Sequence, residues 1–220
     1  MRTPLKVGTI IQLNEIGIKK SYNFKITKII GMGGSCIVYT AVYTDSEDNK
    51  FMMRLKEFYP EWLEIARKQD NLIIENTDEF HDALRHFTEG YRKQMQFRMM
   101  PESMNSIANI QGIYEGNNTR YIAMSCQNAI PIEDADLTLY DIFRVIRSVT
   151  LQIANFHDNG YLYLDLKPQN VMLYPETPEM VMLFDFDSAV QMDNIQPQNL
   201  SCTDSWGAPE LLQRKLRDIS

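Results

Sequence analysis

The chain has 220 residues, which is enough for one domain or a small two-lobed unit. Its apolar fraction of 44% and charged fraction of 23% are those of an ordinary globular protein and exclude wholesale disorder. The net charge of −7 argues against a nucleic-acid binder that works by neutralising phosphates, so no nucleic-acid partner is predicted.

The cysteine spacing and the apolar runs indicate the cellular compartment in which the protein is expected. Cys36, Cys126 and Cys202 are far apart and form no CxxC pair, so neither a zinc site nor a disulfide framework is predicted. A reducing, cytoplasmic location is therefore expected. The N-terminus lacks an apolar signal core, and no apolar run approaches the roughly 20 residues that span a bilayer, so no membrane segment is predicted in this chain.

The first part of the chain has the pattern of strands. Residues 22–30 alternate apolar and polar side chains, and after a glycine-rich turn residues 36–43 and 51–58 continue as strands, which predicts a set of antiparallel hairpins. A proline and a glutamate then predict a short helix over residues 60–68. Residues 71–75 are predicted to form a small inserted strand.

Helical periodicity follows. Residues 77–100 have the pattern of a long helix, and residues 107–114 and 121–126 that of two strands around a turn. Residues 139–157 predict a second long amphipathic helix, which ends at an Asn-Gly pair. Short strands are predicted at residues 171–173 and 180–184. A strand-rich first half and a helix-led second half predict two lobes.

Two features of the first half suit a phosphate group. Gly31, Gly33 and Gly34 lie between two strands, where backbone N–H groups can approach phosphates without obstruction by a Cβ atom. A strand rather than a helix follows them, which disfavours a Rossmann or P-loop site. Lys56, on the next strand, can pair with phosphate oxygens; Arg54 lies on the same face, so the sequence leaves the register open. Either feature alone also fits an ordinary turn or a surface lysine.

The most specific pattern lies at residues 165–170. Asp165 can orient an attacking hydroxyl or accept its proton, and Lys167 can stabilise a transferring phosphoryl group. Asn170 offers an oxygen to a metal ion. Asp185, at the end of an apolar strand, can bind a hard cation such as Mg²⁺.

In this order the motifs resemble those of the protein kinase family, whose signature is a glycine-rich loop, a strand lysine, a catalytic-loop aspartate with an asparagine five residues later, and a metal-binding aspartate. Residues 208–210, Ala-Pro-Glu, match the tripeptide that closes the family's activation segment. The resemblance covers residues 22–220. The loop at residues 165–168 is similar to the serine/threonine type, and residues 56–60 resemble a subset of bacterial kinases of eukaryotic type.

The resemblance implies an α+β, two-lobed kinase fold. An N-terminal extension at residues 1–20 would precede an N-lobe with an antiparallel β-sheet at 21–126 and a partial helical C-lobe at 127–220. The implied function is ATP-dependent phosphoryl transfer to serine or threonine of a protein substrate, with ATP and Mg²⁺ as cofactors. Because only ten residues follow Glu210, we expect an incomplete C-lobe whose open apolar side is covered by a partner or by a missing segment.

The resemblance also implies a role for each site residue. Lys56 would hold the α- and β-phosphates, with Glu89 of the long helix as its partner and Gln94 as the alternative. Asp165 would be the catalytic base and Lys167 the γ-phosphate contact. Mg²⁺ would be held by Asn170 and Asp185. The other residues expected at the nucleotide are Gly31, Gly33 and Val38 over ATP, Met124 as gatekeeper, and Ser125, Cys126 and Gln127 as the hinge.

Some positions depart from the family pattern. Tyr163 and Leu164 replace the family's His-Arg before the catalytic aspartate, and Leu164 cannot pair with a phosphorylated activation segment. Cys36 replaces the third glycine of the loop, and Asp187 the glycine of the metal-binding tripeptide. These departures leave open a pseudokinase that binds nucleotide or a partner without turnover. A small-molecule kinase is a third possibility, which the Ala-Pro-Glu segment disfavours.

Overall fold

The computed structural model describes residues 2–44, 47–98, 110–125, 129–195 and 202–217. The chain divides into two compact units. The first consists of Met1–Tyr91 and Asn109–Gln127, and the second of Arg92–Ala108 and Asn128–Ser220. The sequence predicts a lobe boundary between residues 126 and 127, whereas the last of these transitions lies between residues 127 and 128, and the second unit also includes the end of the long helix.

The first unit is built on a closed antiparallel barrel. In the described part of the chain its strand order is β1-β2-β3-β4-β8-β7, and β5 pairs with β6 as a separate hairpin. The long helix α1 runs over Thr77–Arg98 and confirms the predicted helix. The strands are β1 (Ile10–Glu15), β2 (Ser21–Met32), β3 (Cys36–Thr44), β4 (Lys50–Phe58), β5 (Ile65–Lys68), β6 (Asn71–Ile74), β7 (Ile110–Gly116) and β8 (Thr119–Ser125).

Strand β1 closes the barrel. It pairs with β2 on one side and with β7 on the other, and it turns Ile11 and Leu13 into the core by the period-two alternation of a strand. The sequence predicts an N-terminal extension over residues 1–20. In the structure the apolar face of β1, within this range, belongs to the core of the first unit.

The predicted helix at residues 60–68 is wrong. Ile65–Lys68 is strand β5, which pairs with β6 through a turn where Gln69 has a φ of 54°. The physical reason is tertiary: residues 65–68 pair with β6, and the Arg67 guanidinium donates to the buried Glu57 carboxylate at 2.7 Å, and these contacts override the local helix signal. The predicted strand at residues 71–75 is confirmed as β6.

The second unit is organised around helix α2 (Leu139–Asp158). Thr138 begins the helix with a capping box, in which its side chain accepts from the Asp141 N–H while the Asp141 side chain accepts from the Thr138 N–H. Helix α3 spans Pro209–Arg217. The short strands are β9 (Ile130–Pro131), β10 (Tyr161–Leu162), β11 (Val171–Tyr174), β12 (Thr177–Leu183) and β13 (Val190–Gln191).

An aromatic cluster forms the core of this unit. Phe186 is 1% exposed, and its ring lies 5.3 Å from Phe97, 5.5 Å from Phe156 and 5.2 Å from Tyr163 between centroids. Contacts at these distances stabilise beyond the area they bury. The cluster fixes the chain immediately after Asp185. Among the described residues, no helix combines the length and apolarity needed to cross a membrane.

Candidate active site

The glycine-rich turn joins β2 to β3 in the first unit. An added Cβ would meet nothing within 4 Å at Gly31, and only the Cys36 carbonyl oxygen, at 4.0 Å, at Gly33. The Gly33 N–H donates to that same carbonyl at 2.9 Å, which closes the turn. The space beside these glycines is therefore open to a ligand that approaches the backbone.

The strand register places the predicted nucleotide residues next to one another. Gly31 pairs with Val38, Val38 pairs with Lys56, and Lys56 pairs with Ile122. Cross-strand partners project from the same face of a sheet, so Val38 and Lys56 share a face. Arg54, two residues before Lys56 on β4, is on that face too and pairs with Met124. The pairing gives the register of the strands, and the choice of Lys56 over Arg54 as the phosphate-binding residue stays a prediction.

Lys56 contacts an aromatic ring of α1. Its ammonium lies 5.0 Å from the centroid of Tyr91, a distance at which a ring face attracts a cation. The sequence did not single out Tyr91, because several residues of a helix of this length could face Lys56. Glu89 is exposed and lies two residues from Tyr91, about 200° around the helix axis. Its pairing with Lys56 stays a prediction.

The remaining nucleotide residues are on β8 or just after it. Met124 is buried and Ser125 is half-buried at the end of the strand. Cys126 and Gln127, the other predicted hinge residues, lie outside the described residues.

In the second unit, Asp165, Lys167 and Thr203 form a hydrogen-bonded cluster. The Lys167 ammonium donates to the Asp165 carboxylate at 2.6 Å and to the Thr203 hydroxyl at 2.8 Å. The Thr203 backbone N–H donates to the other Asp165 oxygen at 2.8 Å. These bonds tie the loop after β10 to the segment before α3 and fix the direction of the carboxylate.

The same cluster sets the charge of Asp165. Burial alone raises the pKa of this carboxyl, but hydrogen bonds from Lys167 and Thr203 and the nearby ammonium outweigh burial and hold the pKa below its usual value. Asp165 is therefore an oriented, ionised carboxylate at neutral pH, the state that a proton acceptor needs.

Asn170 and Asp185 lie at the same end of the β11–β12 hairpin. Asn170 precedes β11 and Asp185 follows β12, while the Phe184 N–H donates to the Asn170 carbonyl at 3.0 Å. The Asn170 side-chain amide donates to the Asp165 carbonyl at 2.8 Å, which leaves its oxygen as the atom available to a cation. Asp185 has φ 61° and ψ 70°, a left-handed conformation that is costly outside glycine and concentrates at functional sites.

These two side chains suit a magnesium ion. Carboxylate and amide oxygens are hard ligands, and Mg²⁺ typically takes one or two such protein groups together with substrate phosphates and water. Within the described ranges no cluster of three or more His, Cys, Asp or Glu side chains could hold a metal ion. A carboxylate and an amide oxygen form a donor set that suits Mg²⁺ held jointly with phosphate oxygens.

Tyr163 occupies the position of the histidine expected before the catalytic aspartate. Its hydroxyl donates to the Phe184 carbonyl, and its ring packs on Phe186. The residue thus braces the backbone on both sides of Asp185. The sequence marks this position only as a departure from the family pattern.

Comparison with known proteins decides the family. The model of the protein kinase domain matches residues 24–219, most of the chain. The chain belongs to the protein kinase family. The kinase's structure is also similar to a solved structure described as the apo form of PpkA-294, with a TM-score of 0.59 and 20% sequence identity over 83% of this chain.

The chain spans 61% of the length of that structure. At this identity the likeness concerns the fold alone. It confirms, together with the family match, the predicted α+β protein kinase fold with an antiparallel strand-rich N-lobe. Protein kinase domains carry out phosphoryl transfer.

Proposed function

We propose that this kinase transfers the γ-phosphoryl group of Mg·ATP to a serine or threonine hydroxyl of a protein substrate. The observation that carries the proposal is the cluster of Asp165, Lys167 and Thr203, in which two donors aim an ionised carboxylate. Phosphoryl transfer depends mainly on positioning and on stabilising charge, and this cluster supplies both.

In the proposed reaction the substrate hydroxyl oxygen bonds to the γ-phosphorus, while the bond from that phosphorus to the β,γ-bridging oxygen breaks and ADP leaves. Asp165 orients the hydroxyl and accepts its proton. Lys167, which already contacts Asp165 at 2.6 Å, places a positive charge beside the transferring group. The serine/threonine class is supported by the loop at residues 165–168, which resembles that type.

On the nucleotide side, Gly31 and Gly33 present their backbone to the phosphates, Val38 packs on the adenine, and Lys56 holds the α- and β-phosphates. Glu89 is proposed as the partner of Lys56. The segment of Met124, Ser125, Cys126 and Gln127 is proposed to bind the adenine edge through backbone groups.

Asn170 and Asp185 would hold Mg²⁺ through their side-chain oxygens. When bound, the ion would neutralise charge on the phosphate oxygens and help to orient them. The hydrogen bond that Asn170 donates to the Asp165 carbonyl keeps this ligand in a fixed orientation relative to the proposed base.

The experiment is transfer of label from [γ-³²P]ATP to dephosphorylated casein by wild-type protein and by Asp165→Asn. Asparagine keeps the size of the side chain but cannot accept the proton, so we expect transfer to fall by roughly 10²- to 10⁴-fold. Asp136→Asn makes the same chemical change at an exposed position and should retain full activity. Equal labelling by Asp165→Asn and wild type would refute the assignment.

The second candidate is a pseudokinase that binds nucleotide without turnover. It is favoured by Leu164, which stands where the family's arginine would pair with a phosphorylated segment. Both candidates predict stabilisation by Mg·ATP, about 2.7 kcal/mol at a concentration 100 times the dissociation constant. Thermal stabilisation without any transfer to protein would favour the pseudokinase.

A cytoplasmic location also remains part of the proposal. It rests on the scattered cysteines, of which Cys36 and Cys202 form no disulfide within the described part of the chain. We therefore expect the purified protein to have the same melting temperature before and after treatment with a mild disulfide-forming agent.

A further inference from the structure

Residues 2–5, called the N-terminal strap below, contact the glycine-rich turn. The Arg2 guanidinium donates to the Tyr59 carbonyl at 2.6 Å and to the Gly34 carbonyl at 3.3 Å. It also forms an ion pair with Glu61 at 3.3 Å. The Arg2 side chain is only 10% exposed, so these are contacts of a packed residue rather than of a mobile surface arginine.

The turn that Arg2 reaches is held on the same side by the chain after β4. The Tyr59 N–H donates to the Ser35 carbonyl at 3.0 Å, and the Glu61 N–H donates to the Gly34 carbonyl at 2.9 Å. Arg2 thus bridges two segments that already bond to each other. A charged donor shared between their carbonyls strengthens the junction, because hydrogen bonds from charged groups are stronger than neutral ones.

The strap is anchored in the core of the barrel. Leu5 is 1% exposed, and its N–H donates to the Tyr39 hydroxyl at 3.0 Å. That hydroxyl donates in turn to the buried Glu57 carboxylate at 2.8 Å. On the other side, Arg67 donates to the Thr3 carbonyl at 2.8 Å. The position of Arg2 is therefore set by a buried chain of hydrogen bonds through Leu5, Tyr39 and Glu57 and by a more exposed bond at Thr3.

We propose that the strap is a positioning element for nucleotide binding: Arg2 holds the tip of the glycine-rich turn, so that its backbone N–H groups stay in the arrangement that receives phosphate. The expected effect on nucleotide affinity rests on the proposed function, whereas the effect of Arg2 on the conformation of the turn does not. Arg2 is a positioning residue, since it acts through the carbonyls of Gly34 and Tyr59 and not on the nucleotide itself.

The test compares Arg2→Ala and Arg2→Lys with Lys6→Ala, all carrying an affinity tag at the C-terminus so that the strap is undisturbed. Lys6 is exposed in the same segment, and its replacement makes the same charge change. Amide hydrogen exchange of residues 33, 59 and 61 without nucleotide reports the turn. The dissociation constant of Mg·ATP, together with KM for ATP and kcat measured separately, reports the effect on nucleotide binding.

For Arg2→Ala we expect exchange at these amides to accelerate roughly tenfold, the effect of losing a charge-assisted bond. The dissociation constant and KM for ATP should rise by up to the same factor, because a smaller fraction of molecules then holds the competent turn. We expect kcat to be unchanged and Arg2→Lys to recover most of the affinity. Lys6→Ala should match wild type.

Unchanged exchange in Arg2→Ala would overturn the proposal, and so would faster exchange with unaltered Mg·ATP affinity. A uniform acceleration across the barrel, with a lower melting temperature, would assign Arg2 a general structural role and would also count against it. If wild-type protein does not bind Mg·ATP at all, the proposed function fails, and the exchange data alone decide whether the strap holds the turn.

Discussion

The ion pair between Glu57 and Arg67 allows a quantitative stability prediction. The Glu57 side chain is fully buried and that of Arg67 is 3% exposed. The carboxylate accepts from Arg67 at 2.7 Å, from the Tyr39 hydroxyl at 2.8 Å and from the Tyr121 hydroxyl at 2.7 Å. The Arg67→Met variant removes the cation but fills most of its volume, so Glu57 keeps two neutral donors and loses its counter-charge.

The expected cost follows from burial. Removing one partner of a buried pair leaves an uncompensated charge in the core, which costs about 3–5 kcal/mol. Arg67 also gives up its bonds to the Thr3 and Asp70 carbonyls, both at 2.8 Å, although water can satisfy these more exposed acceptors. Whole domains have a free energy of unfolding of roughly 5–15 kcal/mol, so the loss is a large share of the total.

The assay is urea unfolding followed by circular dichroism. We expect Arg67→Met to lower the free energy of unfolding by about 3–5 kcal/mol, and the double variant with Glu57→Gln to recover part of it, since the buried charge is then gone. Arg85→Met is the matched control: its 2.7 Å pair with Asp82 is exposed on α1 and should matter by less than about 1 kcal/mol. A loss below about 1 kcal/mol for Arg67→Met would refute the reasoning.

Three further outcomes are expected. Tyr163→Phe keeps the aromatic packing but removes the hydroxyl that donates to the Phe184 carbonyl, so urea unfolding should show a loss of about 1 kcal/mol. Gly207→Ala places a methyl group 2.5 Å from the Cys202 sulfur, and overpacking should cost about 1–3 kcal/mol in the same assay. The pKa of Asp165, raised by burial but lowered more by its hydrogen bonds, lies below the usual 3.8. Its contribution to stability is therefore complete above that pH and lost as pH falls through the lower folded value, and a carboxyl resonance that titrates above pH 5 in NMR would contradict this.

The hydrogen-bonded cluster around Asp165 could be predicted in part because its residues are close in sequence. Asp165, Lys167 and Asn170 lie within six residues, and in the structure both Lys167 and Asn170 donate a hydrogen bond to Asp165. Local periodicity likewise sufficed for α1 and α2, whose long amphipathic patterns fix the element type.

Long-range pairing explains what the sequence did not reveal. The helix predicted at residues 60–68 has a local start signal, but its conformation is decided by the contact from Arg67 to Glu57, ten residues away. The closure of the barrel by β1 depends on pairing with β7, about 100 residues later. The contact of Lys56 with Tyr91 depends on the rotation of α1 about its axis, which cannot be predicted from the residues of the helix alone.

We propose that the loop around Asp165 directs phosphoryl transfer to an aliphatic hydroxyl. The decisive test is phosphoamino-acid analysis of a protein substrate labelled with [γ-³²P]ATP. Label on phosphoserine or phosphothreonine, reduced at least about 100-fold in Asp165→Asn, is the predicted result. Label on phosphotyrosine, or label whose amount is the same in the variant, would contradict it.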